Sequence, residues 1–369
     1  MTARRRMGAL AAAVAVLAGV AACGGSSTSN DAVAAGSTVS GTLRLNSSGG
    51  TVFDVWRKSW WGPFTDKTGV KVSESSPNDF AKLKASVESG NVEWNLVEVS
   101  AGSQYQQAIK ENLVEPIDEA KLKKYFESYG GNWSDLIDGS VDAHGAWVTA
   151  YATVLMYDKR VFKDKAPTSV KDLWNTKDFP GKRCINNTGL YALEQAEYAA
   201  GTPLDKIYPI DVPKALAKIQ ELRPSIAKFW SAGAEPIQLV SSGECVMSTA
   251  WNGRPFAAKT VDGIDYLGIA WDGAVLHKGY WVIPKGAPDQ EAAYAALAYY
   301  MLPKVGADSA DSTAYPNGNG ATINLVKPET KEFLATNPDY LSKEIVQDDG
   351  WWLANGPAAE EKYAALQLK

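Results

Sequence analysis

The chain has 369 residues, 45% of them hydrophobic and 21% charged, and a formal net charge of −5 at neutral pH. That length and apolar content suit more than one small core, and the acidic balance argues against a nucleic-acid partner. Two histidines and three cysteines in the whole chain, with no His/Cys/Asp cluster at metal-ligand spacing, no phosphate-binding Gly-Lys-Ser/Thr loop and no G-x-S-x-G elbow, exclude the common metal, nucleotide and esterase motifs. No metal and no cofactor is expected.

Arg4, Arg5 and Arg6 precede an apolar run over residues 7–20, followed by Ala21, Ala22 and Cys23. A basic head, a short apolar core and small residues at its end predict a signal peptide over residues 1–22; a membrane-spanning helix needs about 20 apolar residues. The Val20-Ala21-Ala22-Cys23 ending resembles a bacterial lipobox. It implies a lipidated Cys23 as the first mature residue and anchorage at the outer face of the cell membrane; ordinary cleavage and release is the alternative. Residues 23–40, rich in Gly, Ser, Thr and Asn, are expected to be a tether, since their composition cannot bury a core.

The folded part then reads as alternating strands and helices. A strand over 42–46 runs into the loop SSGGT, where Ser48 and Gly49 sit at the amino end of a helix expected over 53–68, a place that receives polar or anionic groups. Further strands are predicted at 70–73 and 96–99, with helices at 80–87 and 104–112. The β-rich run WVTAYATVLMY, residues 147–157, is long enough to cross between two lobes. It presents Tyr151 at its middle, as a cleft residue or a core one. The strand around Cys184 ends in Asn186-Asn187-Thr188-Gly189 before a helix over 191–200, making Asn187 and Tyr191 candidate contacts. With Cys23 assigned to the amino terminus, Cys184 and Cys245 remain, on strand-like segments; they are either a disulfide in an oxidising compartment or two buried thiols.

Residues 244–250 form a short buried strand whose carboxyl end releases Trp251, Asn252, Gly253 and Arg254. In open α/β sheets ligands bind at that edge. Residues 280–284, beginning at Tyr280, return toward the first lobe, and 290–302 are helical. Tyr315 opens an Asn/Gly-rich loop, and after Pro328 the chain is expected to be helical, with Trp351, Trp352 and Tyr363 packing on the lobes.

Seven segments in this order carry a resemblance: LVEVSAGSQYQQAIKENLVEPID, YATVLMYDKRVF, DLWNTKDFPGKR, GECVMSTAWNGR, YWVIPKGAPDQEAAYAALAYYMLPK, YPNGNGAT and DDGWWLANGPAAEEKY. Together they resemble the extracellular solute-binding proteins of ABC importers, close to the spermidine/putrescine-binding group. The resemblance implies a two-lobed α/β fold of the type II periplasmic-binding-protein kind. Its first lobe would comprise 41–150 and 274–315, its second 151–273, with C-terminal helices over 316–369. It implies a monomer that closes its hinge on a small solute and delivers it to a membrane permease.

Polyamine binders of this group surround ammonium groups with acidic side chains. Here Arg254 and Gly279 stand near two such positions, so an amino-carboxylate resembling γ-aminobutyrate fits better. Arg254 would hold the carboxylate, Trp251 would cover the apolar part, and Asp272 would pair the amine unless it is only a turn residue before Gly273. The alternatives are a secreted carboxylate-dependent hydrolase and a receptor on the same fold that lacks a permease.

Overall fold

Leu43 and Leu45, both fully buried, alternate with Thr42 and Arg44 at the surface, and this period of two makes the first strand. The computed structural model describes residues 39–368; the expected export segment, Cys23 and the expected tether up to residue 38 lie outside them, whereas Val39, expected at the end of the tether, is buried in the core beside the first strand. The strands are β1 (Thr42–Asn46), β2 (Lys71–Ser75), β3 (Leu96–Val99), β4 (Gly145–Asp158), β5 (Arg183–Asn186), β6 (Ile226–Trp230), β7 (Met247–Trp251), β8 (Leu267–Val282) and β9 (Ile345–Val346). They form one sheet in the order β2-β1-β3-β8-β4-β7-β5-β6, with β9 added on β8.

Two strands organise the sheet. β4, 14 residues long, and β8, 16 residues long, pair antiparallel from Gly145↔Val282 to Asp158↔Leu267. At one end Val97↔Val282 and Val99↔Tyr280 join β8 to β3 and its parallel neighbours β1 and β2. At the other, Thr153↔Trp251 and Tyr157↔Met247 join β4 to β7, which continues parallel into β5 and β6. Thr149, Ala150 and Tyr151 face Gly279, Lys278 and His277 in the middle, where neither strand has reached its other neighbour.

β8 departs from expectation in being one strand, because Trp271-Asp272-Gly273 reads as a turn. It is an excursion within the strand: the register passes from Thr153↔Val275 to Leu155↔Ala270, so residues 271–274 bulge out. Gly273 takes a positive φ of 79° there, which an L side chain rarely adopts. The helix expected over 53–68 is present and continuous, with a π-helical turn Arg57–Trp61 between the α-helical stretches Thr51–Trp56 and Gly62–Thr68. The wide turn buries Trp60 and Trp61 side by side, and Gly62 admits the Arg57 carbonyl, which a Cβ would meet at 2.8 Å.

Each half of the sheet has its own core. Trp56, Trp60, Phe64, Trp281 and Tyr300 fill the one beside β1, and Leu155, Ile185, Leu193, Ile219 and Met247 the one beside β5. The final helix, Asp349–Gln367, ties to both. Asp349 accepts from the Tyr280 hydroxyl at 3.0 Å, while Glu360 accepts from the amides of Gly189 and Leu190 at 2.8 and 2.9 Å. Cys184 and Cys245 are joined as a disulfide, with Cα atoms 5.9 Å apart.

Candidate functional site

The strand β7 delivers Trp251 to the sheet edge, and the corner that follows is fixed by Asn252. Its amide is fully buried, accepting from Ala152 N at 2.8 Å and donating to the carbonyls of Ala314 at 3.1 Å and Phe333 at 2.7 Å. Gly253, opening the helix Gly253–Thr260, lets the Tyr315 ring approach to where a Cβ would stand 2.5 Å from it. The local sequence W-N-G-R is thus a locked corner with one ring on each side.

Rings from distant segments then meet in a row. Trp230 packs edge-on against Trp251 at 5.7 Å, Trp251 against Tyr191 at 5.7 Å, and Tyr191 against the His277 imidazole at 4.9 Å. His277 stacks on Tyr151 at 5.0 Å, and Tyr151 meets Tyr315 at 5.9 Å. The Arg254 guanidinium lies 5.8 Å from the Trp251 ring and is exposed. Gly233 makes room for this pair: its Cβ would fall 2.6 Å from Trp251 Cζ3 and 2.8 Å from Arg254 Nε. Glu235, two residues on, is taken by Lys228 at 2.7 Å.

Tyr151, Tyr191 and His277 line a cavity of about 380 Å³ together with Lys278, Gln347 and Trp352. Its opposite wall is Asn78, Glu98 and residues 99–104, at the amino end of the helix Gly102–Lys110. Burial pushes the His277 imidazole down to about 4, so it is neutral at physiological pH, with Nε2 3.0 Å from Thr153 Oγ1. Burial also raises the Tyr151 hydroxyl well above its ordinary range, beside Tyr191, so both rings stay neutral donors. Lys278 faces the cavity but lies 3.7 Å from Asp349.

Five of the sequence-predicted residues therefore meet around one row: Trp251, Tyr191, Tyr151, Tyr315 and, beside Trp251, Arg254. Ser48 is exposed and donates to Glu98 of the opposite wall at 2.8 Å, and Gly49 packs against Ser76. Asn187 is exposed, its backbone N–H donating to the Trp230 carbonyl at 2.9 Å. Two others stand apart. Asp272 sits on the β8 excursion, accepts from the Tyr198 hydroxyl at 3.1 and 3.0 Å, and is not among the residues that line the cavity. Tyr280 is 4% exposed, stacked on Tyr105 at 3.8 Å and bonded to Asp349, a packing role behind the cavity. Glu98, Asn78, His277 and Gln347 line the cavity without having been legible as site residues in the sequence. Only Glu98 carries a signal there, a single acid in the otherwise apolar strand Leu96–Val99.

Residues 61–332 match the family of bacterial extracellular solute-binding proteins, and the chain belongs to that family. It is an exported substrate-binding protein of an ABC transporter, a class that binds a small solute and works with a membrane permease. The γ-aminobutyric acid-binding protein of Pseudomonas aeruginosa is 30% identical over 338 residues, 90% of this chain and 92% of that one. The spermidine/putrescine-binding periplasmic protein of Escherichia coli is 24% identical over 316 residues, 82% of this chain and 86% of that one. An ABC transporter substrate-binding protein from Bradyrhizobium japonicum superposes with a TM-score of 0.76 at 28% identity, covering 89% of this chain and 99% of its own. The fold is the two-lobed one of periplasmic binding proteins.

Proposed function

We propose that the solute is a small amino-carboxylate of the γ-aminobutyrate kind, held between the ring row and the wall bearing Glu98, and released unchanged rather than turned over. The observation that carries this reading is Arg254: an exposed guanidinium beside Trp251, the second ring of a row that contains no acid, without an ion-pair partner among the described residues. A diamine gains nothing from a cation there, whereas a carboxylate gains a charge-assisted, bidentate pair. The relative that binds γ-aminobutyrate supports the same class. Titration calorimetry with γ-aminobutyrate, 5-aminopentanoate, putrescine and spermidine tests it. The expected result is binding of an ω-amino acid that weakens by roughly 10- to 100-fold in Arg254→Ala; tight binding of putrescine that ignores Arg254→Ala overturns it.

In this reading the lobes are 41–150 with 274–315 and 151–273, residues 316–369 pack on both, and the monomer closes about the middle of β4 and β8. The contacts of the final helix with both halves of the sheet favour this division. Cys23 carries the lipid that holds the protein at the membrane. Intact mass of detergent-extracted protein should show a diacylglyceryl adduct on Cys23, and its absence would mean release after ordinary cleavage.

A further inference from the structure

We infer that Glu98 is a positioning residue that turns the first wall of the cavity into an acceptor surface for the solute's ammonium group, a role that the sequence pattern suggests for Asp272. The inference rests on the proposed amino-carboxylate class and names the side chain that selects its amine. Glu98 is 8% exposed, at the penultimate residue of β3, and lines the cavity. Its carboxylate is held by four donors. Oε1 accepts from Ser48 Oγ at 2.8 Å and Ser100 Oγ at 2.6 Å; Oε2 accepts from Ser48 N at 2.9 Å and from Ser47 Oγ.

A serine hydroxyl has one proton and two lone pairs. Ser48 and Ser100 both spend their proton on Glu98, so what they turn outward is lone pairs only. Asn78 Nδ2 already uses this on Ser100, donating to its Oγ at 2.5 Å, and the two hydroxyl oxygens lie 3.3 Å apart. A solute group that meets them must bring protons, as an ammonium does. A carboxylate or an ether oxygen meets lone pairs backed by a negative charge. The neighbouring groups of opposite preference are answered within the protein: Lys278 is beside Asp349, and Asp349 also lies against Gly102 at the start of the helix Gly102–Lys110, where a Gly102 Cβ would collide with its carboxylate. The amine end is therefore assigned to Ser48 and Ser100, and the carboxylate end to Arg254 across the rings.

Glu98→Gln tests this, because an amide must donate where the carboxylate accepted, forcing one serine to turn its proton outward while the volume is kept. The readout is the ratio of affinities for γ-aminobutyrate and 4-hydroxybutyrate, in which a hydroxyl replaces the ammonium; a purely structural residue would weaken both alike. We expect the ratio to fall roughly 10- to 100-fold. A ratio within about twofold of the wild type overturns the role of Glu98 and leaves the Arg254 test standing. If the wild type binds putrescine but no ω-amino acid, the amino-carboxylate class falls and Glu98 is read on putrescine, where the same loss is expected and an unchanged affinity overturns it. Binding of none of these amines overturns both. Should Glu98→Gln fail to fold, Ser100→Ala, which removes one acceptor and leaves Glu98 held by Ser47 and Ser48, is read by the same ratio.

Discussion

Tyr151 of β4 and His277 of β8 are register partners whose rings stack 5.0 Å apart, at the stretch where the two long strands pair only with each other. A ribbon of two strands bends more easily than the sheet on either side of it, because fewer ladders must deform. In the proposed reading the ring pair would sit at the pivot and on the wall of the cavity together, so that hinge movement and solute contact would share the same residues.

His277 and Glu194 should make stability depend on pH in opposite senses. Burial lowers His277 from 6.5 to about 4, so the unfolded chain protonates first; its contribution is complete above 6.5 and is lost as pH falls toward 4, at most about 3 kcal/mol. Burial raises Glu194 from 4.5 to about 7, although Tyr208 Oη and Trp352 Nε1 donate to it at 2.6 and 2.7 Å. Its contribution is complete below 4.5 and is lost as pH rises through 7, by a similar amount. Between 4.5 and 6.5 the two slopes oppose, so Glu194 masks the His277 slope there, and the buried carboxyls of Glu344 and Asp349, also raised by burial, act in the same sense as Glu194. Urea denaturation of Glu194→Gln beside the wild type should show the variant gaining stability relative to it by about 3 kcal/mol from acid to neutral pH; a difference independent of pH would refute the opposition.

Gly233→Ala should damage binding more than folding. The added methyl meets Trp251 Cζ3 at 2.6 Å and Arg254 Nε at 2.8 Å, so the indole must turn and the guanidinium must move. Trp251 is half-buried and Arg254 exposed, which leaves them room to yield. Solute affinity should fall about tenfold with a melting temperature close to the wild type. Calorimetry beside a thermal melt measures both, and undiminished affinity would remove Trp251 and Arg254 from the site.

The parts of this arrangement that follow local rules are legible in the sequence. β1 and β3 occur at their expected residues, and the crossover expected over 147–157 is β4, Gly145–Asp158, because apolar and β-branched runs declare a buried strand wherever they occur. β8 is hidden by Asp272-Gly273, whose turn chemistry is real but belongs to a bulge inside a strand. Asp272 looks like an amine partner for the same reason: sequence gives its charge, not the excursion that points it at Tyr198. Glu98 is inconspicuous because one carboxylate in a buried strand shows only its near neighbour Ser100 as a partner until Ser47 and Ser48 are brought to it by pairing between β1 and β3. His277 and Gln347 enter the cavity from segments with no local motif at all.

Reduction of the Cys184–Cys245 pair should destabilise the half of the sheet beside β5. The bridge spans 61 residues and links β5 to the segment leading into β7. Loop-closure entropy for that separation gives about 4 kcal/mol as an upper figure. Thiol titration of the unfolded, unreduced protein should find neither sulfur free, and the urea midpoint should drop on adding reductant. Two free thiols, or a midpoint indifferent to reductant, would show that the bridge is not formed in the protein as isolated.

Asn252→Ala should cost more stability than changes at its neighbours in the W-N-G-R corner, because the loss is not of one contact but of the partners of three buried backbone groups. Ala152 N loses its acceptor, and the carbonyls of Ala314 and Phe333 lose a donor each. At about 1 to 3 kcal/mol for each group left unsatisfied in the interior, roughly 3 kcal/mol or more is expected. Asn252→Asp separates hydrogen bonding from shape. It keeps the acceptor for Ala152 but sets a carboxylate oxygen against two carbonyl oxygens in a fully buried place, so at neutral pH it should be at least as destabilised as Asn252→Ala and should recover as the carboxyl is protonated in acid. Denaturant titrations of both variants at neutral and acid pH decide the matter: if Asn252→Asp is tolerated at neutral pH, the corner is held by packing and the amide is dispensable.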